Sequence, residues 1–483
     1  MNLPRLAINN AQFSFIVAIL LVLVGVVSYF HMPRSEDPQF DLPITLIEIV
    51  YPGASPSDIE SLVVNPIEQE IASIENILKI ESQIKNGGTR ITVEFIYGVD
   101  PEASFNKVKQ SVASVKASLP DGIQQLSVFK ATPISVAITQ IALWSEPHDY
   151  KSMEFYSKQL EKRIEALSGV KQADIWGYPQ QIVAIDVDLA LLKHYQLAVT
   201  DISRTLKGRS LNITPGFVDA NNRRFNVTTS GSFEQLAQIS ETVIRSNADA
   251  VLRLKDIANI HFTSREPNYL AYYKHKPAVF ITVQQRKGTN IFELTQRIDD
   301  EIQRFKQALP KQIKLETLFK QSDSVATRVD GFFNNLWQGL IIVGLMSLLF
   351  LGVRESLVVV AAIPLSFLIA IGWLDFAGFG LQQMSIVGLI IALGLLVDNA
   401  IVVTESIHRE KKQQSNLKNA AAIGASKVGL AITSGTITTM LAFLPMLLMA
   451  SSTGDFLRSM PVTVVLVLFA SLLIALTVTP LLA

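Results

Sequence analysis

The stretch from Leu389 to Ser406, LIIALGLLVDNAIVVTES, is apolar enough to lie in lipid and yet carries an acid, Asp398, well inside both ends. A helix starting near Met384 rises about 1.5 Å per residue, which puts Asp398 roughly 21 Å along it, within a hydrocarbon layer about 30 Å thick. An aspartate at the centre of a spanning helix costs about 2.5 to 3.5 kcal/mol on insertion scales, so such acids face a bundle interior and mark ion or proton paths. Loss of water disfavours the charged form of a carboxyl group. Asp398 is therefore a candidate proton carrier by its position alone.

Six apolar runs, at about 11–30, 332–353, 356–376, 384–407, 428–450 and 460–483, are long enough to cross a bilayer. Arg5 precedes the first run, as in a signal peptide, but the apolar core is long and no A-x-A site follows Val27 and Ser28, which favours a signal anchor. A mean hydropathy of +0.32 over 483 residues fits a membrane protein with a large polar part. The 42 Lys and Arg balance 42 Asp and Glu, which argues against a nucleic-acid binder. With no cysteine, the chain has no disulfide, thiolate metal site or thiol nucleophile.

Short loops give an orientation. Arg354 follows the second run, and Arg409, Lys411, Lys412 and Lys418 follow the fourth, whereas the loop from Ala377 to Gln383 has no basic residue and that from Ser451 to Ser459 has only Arg458. Positive loops stay in the cytoplasm. The N-terminus is then expected inside, and residues from about 31 to 331 outside the cytoplasm.

That outer part alternates strand and helix patterns. Ile44 to Tyr51 reads as a strand; Pro56, Asp58 and Glu60 mark a helix start; Ile77 to Lys85 and Arg90 to Tyr97 flank the hairpin signal Asn86-Gly87-Gly88. Phe105, Val108, Val112, Val115 and Leu119 share one face of a helix from Pro101 to Leu119. This order is that of a split βαβ unit, two helices on one face of an antiparallel sheet. A second copy runs from Ile134 to Trp144, through a helix around Met153 to Leu167 and a strand from Gln172 to Trp176, and resumes at Ala278 to Gln285 with a helix from Ile291 to Ala308. Residues from about 181 to 275 then form an insertion, with an exposed hairpin or arm near Leu211 to Asn222.

Three strings, RSEDPQFDLPITLIEIVYPGASPSDIE after the first run, SGVKQADIWGYPQQIVAIDVD before the insertion, and LIIALGLLVDNAIVVTESI in the fourth run, give the chain a family likeness. In these strings and in its order of parts, the chain resembles the resistance, nodulation and division superfamily, in particular the inner-membrane permeases of proton-driven hydrophobe and amphiphile efflux pumps. The resemblance implies an α+β membrane protein with six transmembrane helices and a periplasmic region of βαββαβ (ferredoxin-like) porter subdomains with an inserted docking subdomain. Its expected divisions are 1–31 for the N-terminus and first helix, 32–133 for one porter subdomain, 134–180 with 276–330 for the second, 181–275 for the docking subdomain, and 331–483 for the other five helices. It also implies a homotrimer in the inner membrane of a Gram-negative cell, working with a periplasmic adaptor and an outer-membrane channel on small hydrophobic or amphiphilic substrates.

In that family the fourth helix commonly carries two adjacent acids. Asp398 matches the first, and Asn399 stands at the second, where it can hydrogen-bond without titrating. The family's permeases have two similar halves of six helices, and this chain stops at Ala483 just after Thr479-Pro480. The resemblance therefore implies an N-terminal half whose polar partners for the fourth helix lie in a missing C-terminal half. Two rivals follow: a truncated, non-transporting membrane scaffold, and a relative exporting lipids.

The other polar residues carry plainer alternatives. Asn399 can equally serve only to join helices. Glu405 falls near the cytoplasmic end, where an acid is cheap. Thr433, Ser434, Thr436, Thr438 and Thr439 can line a hydrated path, but hydroxyls in such helices usually bond their own backbone or join helices together. Pro364 and Pro445 are expected to kink their helices. Trp176 matches an aromatic position of the family's deep pocket and is the candidate substrate contact; a second pocket aromatic of some relatives falls on Ser135. There is no G-x-x-x-x-G-K-[ST] loop for ATP and no methionine cluster for a soft metal, so no cofactor is expected. One charge falling through 100 mV supplies about 2.3 kcal/mol, enough to sustain a roughly fortyfold gradient.

Overall fold

The computed structural model describes residues 3–131, 136–146, 149–179, 181–209, 216–220, 223–227, 233–247, 250–264, 269–413 and 416–483. A short helix, Leu3–Asn9, leads into the apolar helix Ala11–His31. The chain then builds a four-stranded antiparallel sheet from β1 (Ile44–Val50), β2 (Ile77–Lys85), β3 (Gly88–Phe95) and β4 (Gln125–Lys130), in the order β2-β3-β1-β4. Lys85 pairs with Gly88 across the Asn86-Gly87 turn, where Gly87 has φ +80°. Only glycine takes that backbone without strain. Alternate residues of β1 and β3, among them Ile47, Ile49, Ile91 and Val93, meet Ile67 and Ile71 of one helix and Val108 and Val112 of another in a closed core. The second of these helices is Pro101–Val115, capped by Asp100, whose Oδ1 accepts from Glu102 N–H.

The second sheet comprises β5 (Ala137–Ser145) and β6 (Val170–Trp176), then, after an excursion that includes β7 (Gln181–Val187) and β8 (Ala258–Ser264), β9 (Lys276–Gln285) and β10 (Ile313–Lys320). Its order is β6-β9-β5-β10, again antiparallel, and the helices Tyr150–Glu165 and Ile291–Ala308 supply its core. The short strand Ala271–Tyr273 pairs with the start of β9, so part of the stretch read as insertion adds to this sheet. β7 and β8 pair with each other as the stem of the excursion. Within the segment read as an arm, Gly216–Ala220 pairs with Arg223–Val227, while 211–215 and 221–222 lie outside the described residues. Residues 134 and 135 of the expected fifth strand also lie outside them.

Among the described residues, six helices are long and apolar enough to cross a membrane. Two start earlier than their apolar runs. The second, Gln321–Leu351, grows straight out of β10, and its polar first turns are held by Arg328, which pairs with Glu36 at 2.6 Å. The fifth begins at Leu417, capped by Asn416, rather than near residue 428. In both cases hydropathy marks the apolar stretch, whereas the helix continues as far as caps and partners allow. Pro364 lies inside the third helix, Val353–Phe376; Pro445 follows a break at Phe443 and opens the short helix Leu444–Leu447. The third, fourth and sixth helices are the inner members, and the first, second and fifth are the outer ones.

Small residues set the closest approaches. A Cβ on Gly25 of the first helix would sit 1.9 Å from Leu368 O of the third, and one on Gly388 of the fourth would sit 2.6 Å from Met460 O of the sixth. Lipid offers no hydrophobic drive between helices, so such backbone contact is what holds them.

Candidate functional site

The fourth apolar helix, Gln383–Lys411, starts from a firm cap: Gln382 N–H donates to Ser385 Oγ at 2.8 Å. Asp398 lies about 22 Å further on at the helical rise. Its side chain is exposed on the outside of this bundle, on one face with Ile391, Gly394 and Val402, and it has no hydrogen bond or ion pair among the described residues. Spacings of three and four residues make that face a continuous stripe. Isolated in hydrocarbon such a carboxylate would be costly.

Asn399 meets different surroundings. It is 8% exposed; Thr436 Oγ1 of the fifth helix donates to its Oδ1 at 3.0 Å, and its Nδ2 donates to Ser471 Oγ of the sixth at 3.3 Å. Ser471 Oγ in turn donates to Leu396 O at 2.9 Å. Three helices thus share one buried polar knot one residue from Asp398. Both of these amide bonds run to hydroxyls on neighbouring helices. Thr436 reached this role as a member of the hydroxyl-rich run; Ser471 was missed, although a lone serine within LVLFASLLIAL was the available signal.

The other hydroxyls of the run from Thr433 to Thr439 bond their own backbone: Thr433 to Gly429 O at 2.7 Å, Ser434 to Ala431 O at 2.9 Å, Thr438 to Ser434 O at 2.8 Å and Thr439 to Gly435 O at 3.0 Å. Glu405 pairs with Arg409 one turn on. At the same end, Glu355 of the third helix meets His408 Nδ1 at 3.1 Å and Lys411 Nζ at 3.7 Å, an ion cluster that loop charge counting does not reveal.

Trp176 is the last residue of β6, opposite Phe280. It is 47% exposed, its Nε1 donates to Thr282 Oγ1 at 2.9 Å, and its ring stands edge-on to Tyr269 at 6.0 Å. An aromatic face is thereby open for contact. Ser135 lies outside the described residues. Trp176 belongs to the second sheet, whereas Asp398 and Asn399 lie within an apolar helix, so the three do not form one constellation.

What joins sheet and helix is the strap after the first helix. Pro33 O and Glu36 O accept from Leu381 N–H and Gln383 N–H, each at 2.9 Å, while Arg34 O accepts from Ile291 N–H at 3.1 Å at the head of the second sheet's helix. The first sheet makes its own contact with the membrane helices. Tyr97 OH donates to Asp455 Oδ1 and accepts from Arg458 Nη2, both at 2.9 Å, beside an edge-on contact between Phe40 and Phe456.

The family model described as the AcrB/AcrD/AcrF family matches residues 3–483. The chain is similar to the multidrug resistance protein MdtC of Enterobacter sp. (strain 638), 26% identical over 470 residues, covering 97% of this chain and 46% of that protein. It is likewise similar to MdtC of Photorhabdus laumondii, 24% identical over 483 residues, 99% of this chain and 47% of that protein. The chain thus spans about half the length of the curated relatives it matches. With the family model extending over nearly every residue from the first apolar helix to the last, the chain belongs to the AcrB/AcrD/AcrF family.

Proposed function

We propose that these residues serve a proton-coupled efflux permease of the inner membrane, exporting hydrophobic and amphiphilic compounds, with Asp398 as the proton carrier. The observation that carries this reading is the acid itself, without a partner among the described residues on the open stripe of the fourth apolar helix, while its neighbour Asn399 is bonded to the fifth and sixth helices. The drug-export part is supported by family membership and by relatives named multidrug resistance proteins.

In this reading the two sheets are porter subdomains, the excursion between β6 and β9 is the docking subdomain, and a trimer works with a periplasmic adaptor and an outer-membrane channel. Further helices bring a cation or hydroxyls to the Asp398 stripe. Protonation removes the charge and weakens that pairing; release inward restores it. The resulting shift of the fourth helix passes through the strap to the second sheet, where the half-open indole of Trp176 faces substrate.

Energised dye efflux tests this directly, comparing the native protein with Asp398→Asn at equal membrane abundance. Loss of at least tenfold in the proton-driven rate is expected. Normal pumping by Asp398→Asn would overturn the assignment.

A further inference from the structure

A cavity of about 260 Å³ lies where the strand-rich region meets the membrane helices. Four separate stretches form its wall: the strap with Gln39 and Phe40, the Lys287-Gly288 turn after β9, the loop around Phe379 before the fourth helix, and Asp455 with Arg458 and Ser459 at the head of the sixth. Gln382 directly precedes the fourth helix and Ser459 opens the helix Ser459–Thr477, so the cavity sits at the depth where the chain enters the apolar layer. That is the depth of lipid headgroups.

Its chemistry is of both signs. Lys287 and Arg458 bring an ammonium and a guanidinium, and Asp455 a carboxylate. Lys287 is 56% exposed, and its 3.3 Å pairing with Asp41 is a surface ion pair of the weak kind, open to exchange for a better anion. Arg458 is already aimed by Asp455 at 3.1 Å and by Tyr97. Ser459, on the wall and only 1% exposed, has a hydroxyl with no partner among the described residues. A buried polar group without a hydrogen bond is costly and calls for an explanation. Phe40 and Phe379 add an apolar side to the same space. A purely anionic ligand would be repelled by Asp455, and a purely cationic one by Lys287 and Arg458.

We propose that this cavity binds the zwitterionic amino-phosphate headgroup of a membrane phospholipid. The phosphate is taken by Lys287 and Arg458, the ammonium by Asp455, and the glycerol end rests against Phe40 and Phe379. The bound lipid then fills the joint between the strap and the membrane loops. The site stands apart from the proton path and does not depend on the efflux reading.

Native mass spectrometry of the purified full-length protein in detergent tests it, with a short-chain phosphatidylethanolamine, a matched phosphatidylglycerol and soluble phosphoethanolamine as probes. Retention of one phosphatidylethanolamine per chain is expected, about tenfold weaker in Lys287→Glu, a variant at an exposed position that leaves the fold intact. Phosphatidylglycerol, lacking the ammonium, should bind several-fold more weakly, and Asp455→Asn should erase that preference. Equal retention of both lipids by the native protein, or no change in Lys287→Glu, would overturn the proposal. Displacement by soluble phosphoethanolamine at concentrations equal to the lipid would overturn the lipid as its source.

Discussion

Asp398 and Asn399, adjacent in the chain and about 100° apart around the fourth apolar helix, meet different surroundings: the acid is exposed without a partner among the described residues, and the amide is buried between Thr436 and Ser471. A single residue step along the helix thereby separates the exposed acid from the amide that is bonded to two neighbouring helices.

Asn399→Leu should therefore act on stability. It strips partners from two buried hydroxyls, at a cost of about 1 to 2 kcal/mol, between the usual penalty for an orphaned polar group and the smaller values found in lipid. Unfolding in mixed micelles would show the loss, whereas Asp398→Asn should leave the transition where it was. Equal destabilisation by both would mean that Asp398 has structural partners after all.

Gly25 offers a test of helix packing. Gly25→Ala places a methyl group against Leu368 O and should force the first and third helices apart, costing about 1 to 3 kcal/mol as overpacking does. Gly331→Ala is the control, because nothing lies within 4 Å of the Cβ it adds. Thermal unfolding of the two variants side by side should separate them clearly.

Tyr97→Phe removes a single oxygen that both Asp455 and Arg458 use. The expected stability cost is small, about 1 kcal/mol. Transport should suffer more: a several-fold fall in maximal dye efflux with substrate affinity unchanged, measured in proteoliposomes. A changed affinity with an unchanged maximal rate would place Tyr97 at a substrate surface instead of a mechanical joint.

Asp37, on the polar side of the strap, is held above the ordinary aspartate value of 3.8, by burial first and by neighbouring Glu36 second, against the opposing pull of Arg328. The folded state thus holds this proton more tightly than the unfolded chain. The associated stability is present below about pH 3.8 and is lost as pH rises through the raised folded value. Asp37→Asn should raise the unfolding midpoint at pH 8, and the difference from the native protein should shrink as the pH falls towards 4.

Much of this was legible in the sequence because it is written in local periods. The two-residue alternation of Ile44 to Val50 and the Asn86-Gly87 turn fix β1 and the β2–β3 register without knowledge of anything distant. The return of the chain to the second sheet at β9 was also readable, since Lys276 to Gln285 repeats the strand pattern left at Trp176. Helix ends were less so. Gln321 to Gly331 is too polar to extend the apolar run, and its polar side meets a partner only when Arg328 finds Glu36, 292 residues away. The same holds for the site: the unusual acid announces itself, but the direction Asn399 faces depends on which helices stand beside the fourth, and no periodicity encodes that. Trp176 shows the limit from the other side, because its bond to Thr282 follows only from the pairing of β6 with β9.

The strap from Pro33 to Glu36 acts as a rail shared by two bodies. Its outer carbonyls are bonded to the loop that begins the fourth helix and an inner one to the head of Ile291–Ala308, within a span of four residues. A segment this short has no slack to take up. The start of the fourth helix and the head of Ile291–Ala308 are thus moored to the same four residues, as two ropes made fast to one cleat.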